Sequence, residues 1–165
     1  MVYANEHVNL RPMTRADIPD TLRLMQPAVE AGILIPRSAE HIEQRLADFV
    51  VYDVDGTVHG CAALHALGGR HAEVAALAVD GAYRELGIGK RIVAFLIDRA
   101  RAAGIRRLYV LTTRSADWFA QLGFRPARPS DLPAARRASY DRRRGSRVLA
   151  FDVPAEKRPS RVAVE

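Results

Sequence analysis

The chain has 165 residues, of which 48% are hydrophobic and 27% are charged, a composition typical of one folded domain and not of a disordered tail. No apolar run approaches the roughly 20 residues that a membrane helix requires, so we expect no membrane association. Residues 1–12 lack the pattern of a secretory signal. Cys61 is the only cysteine, so no intramolecular disulfide can form. Together these observations predict a cytoplasmic protein.

The excess of positive charge is concentrated near the C-terminus. The formal net charge is +6, and six arginines lie between Arg136 and Arg147. A charge of this sign predicts an anionic partner. No interleaved aromatic stacking platform accompanies the arginines, which disfavours nucleic acid. A phosphorylated cofactor and an acidic substrate explain the charge equally well, as does a solvated basic face.

The first part of the chain predicts two helices. Asp17 can cap a helix that Gly32 ends, and Ser38 can cap a second helix. The apolar residues of the first helix recur at helical spacing and form one buried stripe. They are Ile18, Leu22, Met25 and Val29.

Three strands are predicted next. Residues 49–54 and 58–64 are rich in β-forming residues, and they flank Asp55-Gly56, a pair that closes tight hairpins. Residues 73–79 are nearly all apolar, which predicts a strand in the centre of the sheet.

The second half of the chain predicts a strand–helix–strand crossover. A helix over residues 88–103 is ended by Gly104, and a strand follows over 108–112. A short helix over 117–122 and a last strand over 147–153 complete the elements. Because hairpins precede a crossover, we expect an α/β fold with a sheet of mixed direction.

The most informative stretch is residues 79–97, VDGAYRELGIGKRIVAFLI, where a buried strand ends, a turn follows and an amphipathic helix begins. The first N–H groups of a helix have no partner inside it, and the helix dipole adds to their attraction for anions. Gly87 and Gly89 let the backbone approach a phosphate, and Arg84 and Lys90 add charge. The motifs GxxxxGK[ST] and GxGxxG are absent, and an ordinary tight turn is the alternative.

Residues 84–89, RELGIG, match in full the pyrophosphate signature [QR]xxGx[GA] of the GNAT acetyltransferases, and SADWFAQLGF at 115–124 resembles that family's second cofactor-side motif. The resemblance implies one domain over residues 1–165, with a core at about 8–153 and a tail at 154–165. It implies an α/β fold with a mixed, mostly antiparallel sheet, whose central parallel strands splay apart to admit acetyl-CoA and are flanked by helices.

A closer resemblance is to the acetyltransferase domain of bacterial N-acetylglutamate synthases. It rests on GILIPRS at 32–38, CAALHAL at 61–67, DLPAARRASYDRRRGSRVL at 131–149 and, most specifically, LTTRSADWFAQLGF at 111–124. It implies transfer of an acetyl group from acetyl-CoA to the α-amine of L-glutamate, for arginine biosynthesis. Many such synthases also carry an arginine-sensing amino-acid-kinase domain that this sequence lacks, which puts feedback through that domain in doubt.

The family resemblance also implies the cofactor-binding residues. The end of the third predicted strand would bind the thioester and supply a backbone oxyanion donor, and the turn after it would hold the pyrophosphate. The expected residues are Leu77, Ala78, Val79, Arg84, Glu85, Leu86, Gly87, Ile88, Gly89 and Lys90.

Two catalytic roles follow from the same resemblance. Glu73 lies where the family commonly places a carboxylate base that acts through water, and a carboxylate that merely meets solvent is the alternative. Many GNAT enzymes place a tyrosine, as general acid, four residues before the Gly-Phe pair of the motif, but that position holds Phe119. Ser115 and Tyr109 are the candidate replacements.

The expected substrate-binding residues are Arg37, Arg114 and Ser115. Glutamate presents two carboxylates, and arginine binds a carboxylate through two parallel hydrogen bonds. Both arginines lie in stretches similar to the synthases, and Ser115 can add a hydrogen bond. L-Glutamine, which lacks one carboxylate, is an alternative acceptor. No His/Cys/Asp cluster has metal-ligand spacing, so no metal is expected.

Two other functions stay open at the level of sequence. One is a GNAT enzyme that acetylates another amine, such as a protein N-terminus, an amino sugar or a drug. The other is a non-catalytic acyl-CoA-binding module, which the missing tyrosine and the basic C-terminal segment suggest. The sequence does not decide the oligomeric state, and a homodimer is one possibility.

Overall fold

The computed structural model describes residues 8–155, and a seven-stranded sheet organises them. Its order is β1-β2-β3-β4-β5-β7-β6, and only the central pair β4–β5 is parallel. This confirms the predicted mixed, mostly antiparallel sheet. The strands are β1 (Val8–Pro12), β2 (Phe49–Val54), β3 (Thr57–Gly68), β4 (His71–Val79), β5 (Arg107–Thr112), β6 (Arg125–Ala127) and β7 (Arg147–Asp152).

Helices cover both faces of the sheet. α1 packs on β3 and β4 from one side, and α3 packs on the same two strands from the other. Within residues 8–155, no helix is long and apolar enough to cross a membrane. The helices are α1 (Ile18–Glu30), α2 (Ala39–Gln44), α3 (Ile88–Ala102), α4 (Ala116–Gln121) and α5 (Ala134–Ala138), joined by short 3-10 helices at Arg15–Asp17, Leu46–Asp48, Gly81–Leu86, Pro129–Asp131 and Arg142–Arg144.

Two layers of apolar side chains fix β4 in the middle of the protein. On one face, Ile88, Ile92 and Leu96 of α3 are buried against the sheet. On the other face, Met25 of α1 and Ile42 of α2 are buried. Burial of one such side chain contributes roughly 1.5–3 kcal/mol. The layers confirm the apolar stripes that the helical spacing predicts.

Most of the predicted helix and hairpin boundaries are confirmed. Gly32 and Gly104 follow α1 and α3 with left-handed φ angles of 74° and 77°. The Ser38 hydroxyl accepts a hydrogen bond of 3.1 Å from the N–H of His41 and so caps α2. Asp55-Gly56 closes the β2–β3 hairpin, with φ angles of 52° and 85°. Positive φ at both positions is the geometry of the hairpin turn that this pair favours.

The sequence analysis missed β1 and β6 and set two strands too short. β3 and β4 extend to Thr57–Gly68 and His71–Val79, because a tight turn pairs Gly68 with His71 where a loop was expected. β1 and β6 are short strands at the two edges of the sheet, and each contains a proline. Edge strands with proline carry little local β signal. Most of the predicted tail, residues 154–165, lies outside the described part of the chain.

β4 and β5 part in the middle of the sheet. Their parallel pairing runs only from His71 with Arg107 to Val74 with Val110, although β4 continues to Val79. On its other edge, β4 carries a bulge between Ala75 and Ala78, where Ala76 has a φ angle of 55°. The parting confirms the expected splay of the central strands.

Asp17 precedes α1 as predicted, but its carboxylate does not cap that helix. It accepts hydrogen bonds from the N–H and hydroxyl of Thr14, at 2.7 and 3.0 Å, and from the Arg11 guanidinium, at 2.7 and 3.0 Å. The cap prediction was wrong because the 3-10 turn before α1 directs the carboxylate back to Thr14. Arg11 also donates to Asp53 of β2 at 3.1 and 3.2 Å, so this ion-pair network joins α1, β1 and β2.

We expect Asp17→Asn to lower the free energy of unfolding by about 1.5–3 kcal/mol near neutral pH, because a neutral amide cannot pair with Arg11. Urea unfolding measures the loss. The matched control is Asp98→Asn, which removes the exposed partner of Arg101 and should cost less than about 1 kcal/mol. Equal losses in the two variants would contradict a stabilising role for this network.

The same variant has a defined pH dependence. Hydrogen bonding to Arg11 lowers the pKa of Asp17 from 3.8 to about 2, against the opposing effect of burial. Because folding lowers this pKa, the stabilisation is complete above about pH 4 and is lost as the pH falls through about 2. The stability difference between wild type and Asp17→Asn should therefore shrink over that window, and a constant difference would refute the assignment.

Candidate active site

A cleft of about 730 Å³ opens where β4 and β5 part. Its walls include α1, the end of β4, the turn after it, the start of α3, the end of β5, and α4. Beyond Val74, this edge of β4 has no strand partner, so its N–H and C=O groups are available to a bound molecule. The expected cofactor-binding residues that line the cleft are Leu77, Ala78, Val79, Arg84, Gly87, Gly89 and Lys90.

The turn at one end of the cleft has the geometry of an anion site. Gly87 precedes α3 with a left-handed φ angle of 74°, which a residue with a side chain would adopt only under strain. The first N–H groups of α3 lie just after it and have no acceptor inside the helix. Ile88 contributes only its backbone, because its side chain is buried in the core. Glu85 and Leu86 are exposed and do not line the cleft.

Gly89 lies against Trp118, which restricts the size of the side chain that this position can hold. A Cβ built on this residue would lie 3.1 and 3.3 Å from two ring atoms of Trp118. The indole therefore packs directly on the first turn of α3, and it also lines the cleft. Trp118 meets Phe119 edge-on, with ring centroids 4.9 Å apart. The two aromatic residues therefore pack against each other beside the start of α3.

A second cavity, of about 640 Å³, adjoins the first. Both are lined by Ala75 of β4, and the loop at 33–38 contributes Ile33 to the first cavity and Ile35 to the second. The two spaces therefore meet one residue before the bulge at Ala76. The ionisable side chains that line the second cavity are Arg37, His41, Arg45, His65, Glu73 and Arg136.

Glu73, the predicted base, is buried in this second cavity, with 8% of its surface exposed. Its neighbours in sequence are apolar, but Arg136 pairs with it in space. Nε of Arg136 lies 2.5 Å from Oε1, and Nη2 lies 3.4 Å from Oε2. Nη1 of the same guanidinium donates to the Ser139 hydroxyl at 3.0 Å. The predicted alternative, a carboxylate that only meets solvent, is therefore wrong.

Arg37, a predicted substrate-binding residue, faces the same cavity as Glu73. Burial lowers the pKa of its guanidinium, and the nearby charge of Glu73 opposes that effect. One of its N–H groups donates to the carbonyl of Ile35 at 3.1 Å. A partly buried guanidinium with further donors directed at a cavity is suited to bind a carboxylate.

Arg136 and Arg144 are site residues that the sequence analysis did not single out. Arg144 donates to the carbonyl of Ile33 at 2.8 Å and so holds the loop that carries Arg37. In the sequence, both belong to the basic run near the C-terminus and to the stretch at 131–149 that resembles the synthases. The run is therefore more than a solvated face, because Arg144 contacts the loop at 33–38 and Arg136 contacts Glu73.

Two predicted residues lie elsewhere. Arg114 is exposed and lines neither cavity; it lies in a turn in which Thr112 Oγ1 accepts the N–H of Ser115 at 2.9 Å. Tyr109 is fully buried and donates its hydroxyl hydrogen to the carbonyl of Asp131 at 2.8 Å, so it is not available as an acid. Ser115 lines the cofactor cleft and is the candidate acid that the geometry retains.

Between residues 8 and 155, no group of three or more His, Cys, Asp or Glu side chains is arranged to hold a metal ion. Cys61 is buried, and burial raises the pKa of its thiol to about 12. Its Sγ lies 3.4 Å from the carbonyl oxygen of Ala76, at the bulge. The cysteine is thus a packed residue of β3, as the sequence analysis predicted.

The cleft lies between two parted parallel strands. A helix N-terminus lies at one end of it, and a buried carboxylate lies beyond the opposite end. This arrangement defines a transferase site for a phosphate-bearing donor. The acetyltransferase (GNAT) family matches residues 18–124. The chain belongs to this family.

Similar proteins carry the name amino-acid acetyltransferase. The one from Aeromonas salmonicida is 42% identical over 141 residues, which cover 85% of this chain and 32% of the relative. The one from Neisseria meningitidis serogroup A is 40% identical over 134 residues, which cover 81% and 31%. The chain thus spans about a third of the length of these curated relatives.

A solved structure of similar fold is N-acetylglutamate synthase from Neisseria gonorrhoeae, complexed with coenzyme A and N-acetyl-glutamate. Its TM-score is 0.87 at 37% sequence identity, over 90% of this chain and 35% of that one. The similarity therefore lies within one part of a longer protein.

We expect Gly89→Val to weaken coenzyme A binding about tenfold or more, because the new branched side chain displaces Trp118 from the first turn of α3. Isothermal titration calorimetry measures the affinity, and thermal unfolding checks that the variant is folded. Adding Trp118→Phe, which removes the two nearest ring atoms, should restore part of the affinity. A double variant no better than Gly89→Val would show that the indole contact is not the cause.

Proposed function

We propose that this protein is an amino-acid acetyltransferase that moves the acetyl group of acetyl-CoA to the α-amine of L-glutamate, a reaction of arginine biosynthesis. The names of the curated relatives and the N-acetyl-glutamate in the similar structure support the reaction class. The observation that carries the choice of glutamate is the charge of the second cavity, at the place where it meets the cofactor cleft.

The second cavity fits an acceptor with two negative charges. Three arginines and one glutamate line it, so three positive charges against one negative charge leave +2 when His41 and His65 are neutral. A dicarboxylic amino acid whose amine is deprotonated for attack carries a charge of −2. Burial strengthens this match, because charges in a partly desolvated cavity are screened less than surface charges.

The acceptor would also release the base. Both oxygens of Glu73 face Arg136, so the carboxylate is paired before an acceptor arrives. A carboxylate of the acceptor competes for the same guanidinium, and Arg37 lies in the same cavity to bind the other carboxylate. An acidic acceptor therefore frees Glu73 to receive a proton from the amine, directly or through a water.

The remaining roles fall to groups that line the cofactor cleft. The N–H groups of residues 77–79, beyond the last β4–β5 pair, are the candidates to stabilise negative charge on the thioester oxygen. The N–H groups at the start of α3, with Arg84 and Lys90, bind the diphosphate. Ser115 is the candidate to protonate the departing thiolate.

We expect Arg37→Ala to raise the KM for L-glutamate about 10- to 100-fold and to leave the KM for acetyl-CoA unchanged, because only the acceptor loses a charged hydrogen bond. A coenzyme A release assay measures both constants. Arg37→Lys keeps the charge but not the planar fork, so its KM for L-glutamate should lie between those of the wild type and Arg37→Ala. The control is Arg142→Ala, which removes an exposed arginine of the basic run near the C-terminus. Similar losses for both substrates would argue against this role.

The same assay across a panel of acceptors tests the substrate itself. L-Glutamate should be used with the highest kcat/KM, and L-glutamine about 10- to 100-fold less well, because one cavity arginine then lacks its carboxylate. Protein N-terminal peptides and amino sugars should be poorer still. Efficient turnover of neutral amines without turnover of glutamate would overturn the proposal, and the absence of any turnover would favour an acyl-CoA-binding module.

A further inference from the structure

His59 of β3 lines neither cavity, yet it faces the segment that leads from β4 into the cofactor turn. On the β2 side, Tyr52 pairs with Gly60 and Asp53 pairs with Val58, so His59 is the extra residue of a β-bulge. Bulges change the direction of a side chain next to functional sites. Here the bulge accompanies an imidazole that contacts Asp80.

Asp80 is tied to His59 twice. Its N–H donates to the carbonyl of His59 at 2.8 Å, which continues the β3–β4 pairing past Gly60 and Val79. Its Oδ2 lies 3.1 Å from Nδ1 of His59, and because a carboxylate only accepts, Nδ1 carries the hydrogen. This hydrogen bond lowers the pKa of the Asp80 carboxyl, so the group stays ionised.

The same pair of residues holds the first turn of the 3-10 helix Gly81–Leu86. Oδ1 of Asp80 accepts the N–H of Ala82 at 3.2 Å, and the carbonyl of Asp80 accepts the N–H of Tyr83 at 2.8 Å. The Tyr83 ring lies over the imidazole, with centroids 4.2 Å apart and planes inclined by 33°. One imidazole thus contacts both the residue before the 3-10 helix and its third residue.

The position of this helix decides where the diphosphate-binding groups lie. It carries Arg84, it ends at Gly87, and the N–H groups of α3 follow at once. Most of its residues are exposed, so little apolar burial holds it in place. Without anchors, part of the binding free energy of the cofactor would be spent on ordering the turn.

We propose that His59 is a positioning residue that fixes the diphosphate-binding turn through Asp80 and Tyr83. The proposal rests on the proposed role of residues 84–90 in binding the diphosphate of coenzyme A. It requires no knowledge of the acceptor, because the contacts concern only the cofactor half of the site.

The test compares coenzyme A with pantetheine, which has the thiol arm but no diphosphate. Wild-type protein should bind coenzyme A far more tightly than pantetheine. In His59→Ala, the affinity for coenzyme A should fall about three- to tenfold with unchanged affinity for pantetheine, because only the turn loses its order. His59→Asn, which keeps an N–H donor near the position of Nδ1, should recover part of the loss. Titration calorimetry measures each affinity.

The matched control is His71→Ala. His71 begins β4, at the end far from Asp80, and its ring packs edge-on against Tyr109. It should leave both affinities unchanged. Equal losses for coenzyme A and pantetheine in His59→Ala, or no loss for either, would overturn the role of His59. A wild-type protein that binds the two compounds equally would instead refute the diphosphate site itself. Neither result depends on whether glutamate is the acceptor.

Discussion

The site depends on the interruption of hydrogen bonding between β4 and β5. Four residue pairs join the strands, from His71 with Arg107 to Val74 with Val110, and the rest of β4 has no neighbour on that edge. Backbone groups left without a partner in the interior are costly, so this edge favours a ligand that supplies amide partners of its own. Trp118 and Phe119 line the widening gap. The cofactor cleft is therefore a consequence of the sheet itself.

The basic segment near the C-terminus contributes one of the three arginines that line the second cavity. Arg136 reaches Glu73 and Arg144 reaches the carbonyl of Ile33, so residues distant in sequence meet beside Ala75. The charge excess seen in the composition is thus partly placed inside a cavity. There Arg136 balances the carboxylate of Glu73, so Arg37 and Arg45 leave positive charge for the acidic acceptor that we propose.

Local patterns predicted the fold well, and long-range contacts explain what they missed. Strand 49–54, the helix from residue 88 and its stop at Gly104 depend on propensity, spacing and glycine, and the structure confirms them. The pairing of Arg136 with Glu73 joins residues 63 apart, so no local pattern could indicate it. The exposure of Arg114 depends on how the chain after β5 packs in three dimensions, which residue type alone does not reveal.

The central claim is that two adjoining spaces hold donor and acceptor and meet at Ala75. A crystal structure with a bisubstrate analogue, coenzyme A joined through an acetyl linker to the α-amine of glutamate, tests it most directly. The account predicts the diphosphate at the N–H groups that begin α3, the linker beside residues 75–77, and a glutamate carboxylate on Arg37 or Arg136. A diphosphate away from residues 84–90, or a glutamate moiety outside the cavity of Glu73, would contradict it.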